Sequence, residues 1–144
     1  MNDLNTKTLY DTDFALWIED MVNKLKKRDV KNLDWDNLIE EVESLGKSDK
    51  RRLKSLLFRL FEHSLKRKHT GMQECYRGWD IEIRNFSRQI EELLQDSPSL
   101  KNYLQKIASD CYKKALESVA QDYEFYDFSP GLDTEEIVNA IIKK

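Results

Sequence analysis

A run of carboxylates is the first group of residues here whose types and spacing could do chemistry. Glu40, Glu41 and Glu43 lie within four residues, and Glu40 and Glu43 have the i, i+3 spacing with which carboxylates can hold a metal in a helical bundle. If Leu38 and Val42 point inward, however, Glu40 points away from the core, and Glu41 and Glu43 flank the apolar stripe. We therefore expect a solvated helix face or ion pairs, with no metal site and no cofactor.

A second group combines His63 with Arg59, one helical turn earlier. Histidine is the side chain most easily poised for proton transfer near neutral pH, so His63 is a candidate general acid or base. Arg59, Glu41 and Glu43 are the other candidate catalytic residues. Helical ribonucleases of the HEPN type use an R-x4-6-H element, whereas the spacing here is R-x3-H. We favour a half-buried structural histidine that is hydrogen-bonded to Glu41 or Glu43 on the preceding helix.

Basic residues dominate the segment around His63. Eight Lys and Arg side chains lie between positions 50 and 69, against the single acid Glu62. Clustered cations can contact phosphates without an exact spacing. The candidate nucleic-acid-binding residues are Arg51, Arg52, Lys54, Lys66, Arg67 and Lys68. An acidic pI of about 5.5 and the absence of a recognised nucleic-acid motif favour instead ion pairs with the acidic second helix, or the docking of an acidic partner.

Helices are expected to position all of these residues, because apolar side chains recur at helical spacing along the chain. Asp34 is a favourable N-cap, and Gly46 can take the left-handed conformation that stops a helix. The predicted helical segments are 12–27, 34–46, 48–70, 79–96, 98–121 and 134–142. The three tryptophans, Trp17, Trp35 and Trp79, fall on apolar stripes and are predicted to lie in the core.

Composition narrows the class of protein. The 144 residues are 40% hydrophobic and 35% charged, with only four Gly and two Pro, which suits helices with charged outer faces. This length allows one folded domain, and no segment alternates with the period of two that is typical of strands. The sequence therefore predicts one all-α domain over residues 1–144, a bundle of about five helices with a short C-terminal helix.

The two cysteines and the short apolar runs indicate where in the cell the protein is expected. Cys75 and Cys111 are too few for a disulfide framework and lack the C-x-x-C spacing of zinc or redox sites. The first ten residues contain no apolar segment like a signal peptide, and the other apolar runs are too short to cross a membrane. We therefore expect a cytoplasmic protein without membrane contact.

Several short motifs carry a resemblance to a known family. The matching residues are Tyr10, Asp13, Phe14, Trp17, LDW at 33–35, NLIEEVESLG at 37–46, His63, Leu65, Lys66, Trp79, Ile83 and DSPSL at 96–100. In these residues the chain resembles the bacterial family catalogued as domain of unknown function twenty-nine. The resemblance implies an all-helical single domain and supplies no reaction. Family members commonly have an aromatic residue directly after the lysine matched by Lys66, whereas this chain has Arg67.

The expected function is that of a small helical interaction or regulatory protein without catalytic activity. We expect it to self-associate or to bind a protein partner, because Phe125, Tyr126 and Phe128 of the acidic tail need a surface to pack against. Two alternatives stay open. One is a nuclease or other phosphoryl-processing hydrolase that acts through His63 and neighbouring Arg and Glu, and the other is a nucleic-acid-binding module that uses the basic third helix.

Overall fold

A computed structural model describes residues 9–143 and is built from α-helices. The helices of nine or more residues are α1 (Phe14–Lys26), α2 (Trp35–His69), α3 (Gln73–Asp96), α4 (Leu100–Asp122) and α5 (Thr134–Ile142). Residues 9–12 are also helical, and a 3-10 helix covers Val30–Asn32. No strand occurs in the described residues. The predicted all-α class, with about five helices and a short C-terminal helix, is confirmed.

The chain divides into two compact units, an amino-terminal unit (Met1–Ser48) and a carboxy-terminal unit (Asp49–Lys144). The division falls within α2. The single domain expected over residues 1–144 therefore stays a prediction, and each unit is described by itself. No helix within residues 9–143 combines the length and the apolar character needed to span a membrane.

Gly46 does not stop a helix, contrary to the sequence prediction. α2 continues through this position, and the left-handed glycine lies instead at Gly71, with φ 65°, just after the end of α2 at His69. A glycine inside a helix costs about 1 kcal/mol relative to alanine, which weakens a helix without ending it. The predicted second and third helices are therefore one helix.

The amino-terminal unit has a small core. Asp13 is the N-cap of α1, and its side chain accepts a hydrogen bond from the Leu16 backbone N at 3.1 Å. Three apolar side chains are buried together: Trp17, Met21 and Leu33. The Trp17 Nε1–H donates to Asp34 Oδ2 at 3.1 Å, so the buried carboxylate at the start of α2 is paired.

The carboxy-terminal unit has a much larger core. Nineteen buried residues from the second part of α2 and from α3, α4, α5 and the segment before α5 form one apolar cluster. α3 begins at Gln73, earlier than predicted, so most of the segment between the predicted helices 48–70 and 79–96 is helical. Before α5, the Gly131 backbone N donates to the Phe128 carbonyl oxygen at 2.9 Å and closes a turn. The Leu132 backbone N donates to the Tyr112 hydroxyl at 2.9 Å, which attaches this turn to α4.

Candidate functional site

His63 is half-buried on α2, as the structural interpretation predicts. Its Nδ1 lies 2.8 Å from the Arg59 carbonyl oxygen, and its ring packs edge-on against Phe86 with the centroids 5.2 Å apart. A carbonyl oxygen only accepts, so the proton of the neutral ring is on Nδ1. The predicted carboxylate partner is wrong, since this hydrogen bond goes to the backbone of the same helix.

The acidic candidates Glu41 and Glu43 lie in the amino-terminal unit. Glu41 accepts a hydrogen bond from the Tyr10 hydroxyl. This hydrogen bond, with smaller effects of burial and of the negative charge on Glu41, raises the pKa of Tyr10 to about 12, because ionised Tyr10 would lose the bond and face the carboxylate. Glu43 is exposed.

The four catalytic candidates are not brought together as neighbours on their helix. Glu43 and Arg59 are sixteen positions apart along α2, whereas side chains on one helix meet only at spacings of three or four. Among residues 9–143, no group of three or more His, Cys, Asp or Glu side chains has a geometry that could hold a metal ion.

Two of the candidate phosphate-binding cations near the end of α2 are engaged inside the carboxy-terminal unit. The Lys66 ammonium lies over the rings of Trp79 and Tyr123, 5.4 and 5.7 Å from their centroids. The Lys68 Nζ donates to the Gly131 carbonyl oxygen at 2.8 Å. These contacts tie α2 to α3 and to the segment around the turn before α5.

Arg67 is engaged in the same way. Its guanidinium carbon lies 3.7 Å above the centroid of the Tyr76 ring, and its Nε pairs with Asp80 Oδ1 at 3.0 Å. A planar guanidinium suits this combination of stacking and ion pairing. Arg67, at the position where the resemblance leads one to expect an aromatic residue, thus joins α2 to α3.

The other three cations lie near the start of the carboxy-terminal unit. Arg52 Nη2 donates to Gln89 Oε1 at 3.4 Å, a long hydrogen bond, while Arg51 and Lys54 line a depression beside α4. The expected pairing of the basic segment with an acidic neighbouring helix is wrong, because the acidic residues 34–43 belong to the same helix. The six predicted residues thus form two groups with different surroundings.

An exposed apolar surface on α1 is absent from the sequence predictions. Phe14, Ile18, Val22 and Leu25 recur every three or four residues and therefore share one side of the helix. Each is between 39% and 46% exposed. The inward side of α1 is defined instead by the buried pair Trp17 and Met21.

The first part of α2 has a similar stripe. Trp35, Ile39, Val42 and Leu45 are between 50% and 69% exposed, so the predicted core position of Trp35 is wrong. The Trp35 Nε1–H donates to the Val30 carbonyl oxygen at 3.1 Å, which fixes the indole at the surface. A shallow depression of about 250 Å³ lies here, lined by Trp35, Leu38, Ile39, Val42 and Glu43.

We call these eight exposed side chains the docking face. Its members are Phe14, Ile18, Val22, Leu25, Trp35, Ile39, Val42 and Leu45. The small number of helices in this unit could have revealed the docking face from the sequence alone. Both helices of this short unit carry broad apolar stripes, and a pair of helices cannot cover all of this surface by packing on each other.

Comparison with known proteins identifies the family and no more. No curated protein and no solved structure matches the chain. The profile of one family, described as domain of unknown function DUF29, matches residues 9–139, which is most of the chain. The resemblance seen in the sequence motifs is thereby confirmed, and the chain belongs to the DUF29 family.

Proposed function

We propose that this protein is a non-catalytic interaction protein that self-associates, and that the docking face is its contact with a second copy. The observation that carries the proposal is the exposure of eight apolar side chains at helical spacing on the amino-terminal unit. On each of the two helices the exposed side chains form a stripe, and contiguous exposed apolar patches usually mark an interaction site.

The size of the docking face fits a protein partner. From their exposed fractions, its eight side chains present on the order of 800 Å², about the area that each partner of a standard interface buries. Among the described residues of this unit, the buried apolar core consists of Trp17, Met21 and Leu33. Folded units of about 40 residues usually need further stabilisation, and association supplies it by burying apolar surface.

The charges beside the docking face support a second copy as the partner. The end of α1 and the turn after it are basic, with exposed Lys26, Lys27 and Arg28. The first part of α2 is acidic, with exposed residues that include Glu40 and Glu43. A two-fold dimer brings the same surface of both copies together, so the basic end of one copy can meet the acidic side of the other.

Light scattering on the full chain tests this proposal. We expect a dimer or a larger assembly for the unmodified protein and a smaller, folded species for the double variant Ile39→Glu, Val42→Glu, because buried unpaired carboxylates would oppose association through the docking face. Leu16→Glu is the matched control, since Leu16 is exposed on α1 but lies away from the docking face. A monomeric unmodified protein, or equal loss of dimer in the control, would contradict the proposal.

The two alternatives have less support. For a hydrolase, the neighbouring carboxylate of Glu62 accepts a hydrogen bond from the Ser118 hydroxyl at 2.6 Å, and His63 is hydrogen-bonded to the Arg59 backbone. For a nucleic-acid-binding module, Lys66, Arg67 and Lys68 are engaged within the protein. A cytoplasmic location is also part of the proposal. It is supported by the two free cysteines, since thiols stay reduced in the cytoplasm.

A further inference from the structure

A second apolar depression lies in the carboxy-terminal unit, where residues of α2 and α4 line it together. Its volume is about 260 Å³. The residues that line it are Arg51, Lys54, Ser55, Phe58, Cys111 and Lys114. We call this depression the basic groove, because three of its six residues are cations. It is distinct from the docking face and shares no residue with it.

The cations of the basic groove are available to an acidic ligand. Within residues 9–143, neither the Arg51 guanidinium nor the Lys54 ammonium forms a hydrogen bond or an ion pair. Lys114 Nζ lies 3.2 Å from Asp110 Oδ2, but both side chains are more than half exposed, and such pairs contribute little. Phe58 and the buried Cys111 supply apolar surface below these charges.

The segment after α4 has the complementary chemistry. Phe125 is 93% exposed, the highest exposure among the large apolar side chains of the described residues. Acidic residues surround it in sequence: Asp122, Glu124 and Asp127. We call residues 122–127 the acidic aromatic segment. An isolated exposed phenylalanine among carboxylates matches an apolar depression rimmed by cations.

The acidic aromatic segment is held in place on both sides. Val119 before it and Phe128 after it are buried in the core, so of the three tail aromatics only Phe128 packs fully within its own unit. Between them, the Tyr126 backbone N donates to the Tyr123 carbonyl oxygen at 3.1 Å, which closes a tight turn. A side chain presented on a fixed turn loses little conformational entropy on binding.

We propose that the basic groove of one copy binds the acidic aromatic segment of a second copy, with the Phe125 ring against Phe58 and the carboxylates beside Lys54 and Lys114. Phe125 is almost fully exposed, so it does not fill the groove of its own chain. This contact goes beyond the proposed docking-face dimer and uses other residues, so either contact can fail alone. Because groove and segment are different surfaces, the contact is heterologous.

Peptide binding to the full chain tests the contact directly. The probe is a fluorescent peptide of residues 120–127, and the receptor is the Phe125→Ser protein, whose own segment cannot compete. We expect saturable binding that weakens as salt rises. A peptide carrying Phe125→Ser, and a receptor carrying Lys54→Glu and Lys114→Glu, should each bind at least about tenfold more weakly.

The matched control receptor carries Lys106→Glu and Lys113→Glu, which make the same change in charge at exposed positions of α4 outside the groove. Its affinity for the peptide should be within about twofold of that of the Phe125→Ser receptor, because exposed charges at a distance are screened. Equal weakening in this control would indicate unspecific attraction and overturn the proposal. The absence of saturable binding would also overturn the proposal. Equal binding of a scrambled peptide would overturn it as well, because the groove would then accept acidic aromatic peptides in general.

Discussion

The two units of this protein place their apolar side chains differently. In the amino-terminal unit three apolar side chains are buried together and eight on the docking face are exposed, whereas the carboxy-terminal unit buries nineteen residues in one cluster. The same helix, α2, contributes to both units. The carboxy-terminal unit can therefore be stable through its own core, and the amino-terminal unit has apolar surface left for a partner.

The difference arises from the number of helices available for packing. In the carboxy-terminal unit, the second part of α2 is surrounded by residues of α3, α4 and α5. In the amino-terminal unit, the core residues come from α1, and Leu33 lies between the 3-10 helix and α2. Similar apolar stripes are thus core in one unit and surface in the other.

The largest effect on stability is expected when two leucines of α2 are compared. Leu57→Ala should lower the free energy of unfolding by about 2 to 5 kcal/mol, because Leu57 is fully buried and its loss leaves a cavity. Leu45→Ala makes the same chemical change at a position that is 69% exposed, and it should change stability by less than about 0.5 kcal/mol. Urea unfolding followed by circular dichroism measures both values, and similar losses would contradict the division into core and exposed face.

A smaller effect on stability is expected when two tryptophans of the amino-terminal unit are compared. Trp17→Phe should cost about 1 to 3 kcal/mol, since it removes a donor from the buried Asp34 carboxylate and leaves Asn37 as the remaining side-chain donor there. Trp35→Phe is the control, and it should cost less because the indole is half exposed. Thermal unfolding by circular dichroism separates the two, and a larger loss for Trp35→Phe would reverse the assignment of core and surface.

Sequence alone predicted the helical class and most helix positions well. The apolar spacing in α1, α4 and α5 and the glycine after α2 locate these elements to within a few residues. The stop at Gly46 failed because a glycine permits a left-handed turn without requiring one. Whether the helix ends there depends on contacts that sequence periodicity does not contain.

The candidate sites were predictable only in part. The residue types at His63 and in the basic segment were recognisable, but their partners were not, since Arg59 contributes a backbone oxygen and Arg67 stacks on Tyr76. Trp35 of the docking face was predicted to be core, because periodicity identifies an apolar side of a helix and not what covers it. Only the packing of the whole unit decides between core and interface.

His63 provides an intermediate test within the carboxy-terminal unit. His63→Ala should lower the free energy of unfolding by about 1 kcal/mol, because it removes one hydrogen bond and the contact with Phe86. His63→Asn retains a side-chain donor and should recover part of this loss. Incubation with RNA and nucleotides, with and without divalent metal, should give no hydrolysis. Turnover that disappears in His63→Ala without loss of stability would instead establish the hydrolase alternative.

Gly46→Ala tests whether α2 is continuous, because the substitution should raise stability in a continuous helix and lower it if the helix ends at Gly46. An added Cβ at Gly46 meets nothing within 4 Å, and Gly46 does not have a positive φ. Because alanine has the higher helix propensity, the substitution should stabilise the protein by about 0.5 to 1 kcal/mol. Thermal unfolding measures the change, and destabilisation would indicate that the helix ends at this glycine, as the sequence suggested.

The smallest expected effect is a pH dependence in the carboxy-terminal unit. The pKa of His69 is lowered, first by burial and then by the Lys68 charge, with Asp127 opposing. Its Nε2 is buried and has no hydrogen-bond partner among residues 9–143. Below pH about 6.5 the unfolded chain therefore binds a proton more readily than the folded one, and stability falls as pH decreases through this value. Above it both states are neutral at this residue and the effect is absent.

His69→Phe isolates this contribution, because it retains an aromatic ring beside Phe128, whose centroid is 5.8 Å from that of His69, and removes the titrating group. Urea unfolding at pH values from about 7.5 to about 5.5 should show a smaller loss of stability in the variant than in the unmodified protein. The carboxylates common to both proteins contribute equally and cancel in the difference. If the two proteins lose stability in parallel, His69 is not the group whose protonation opposes folding.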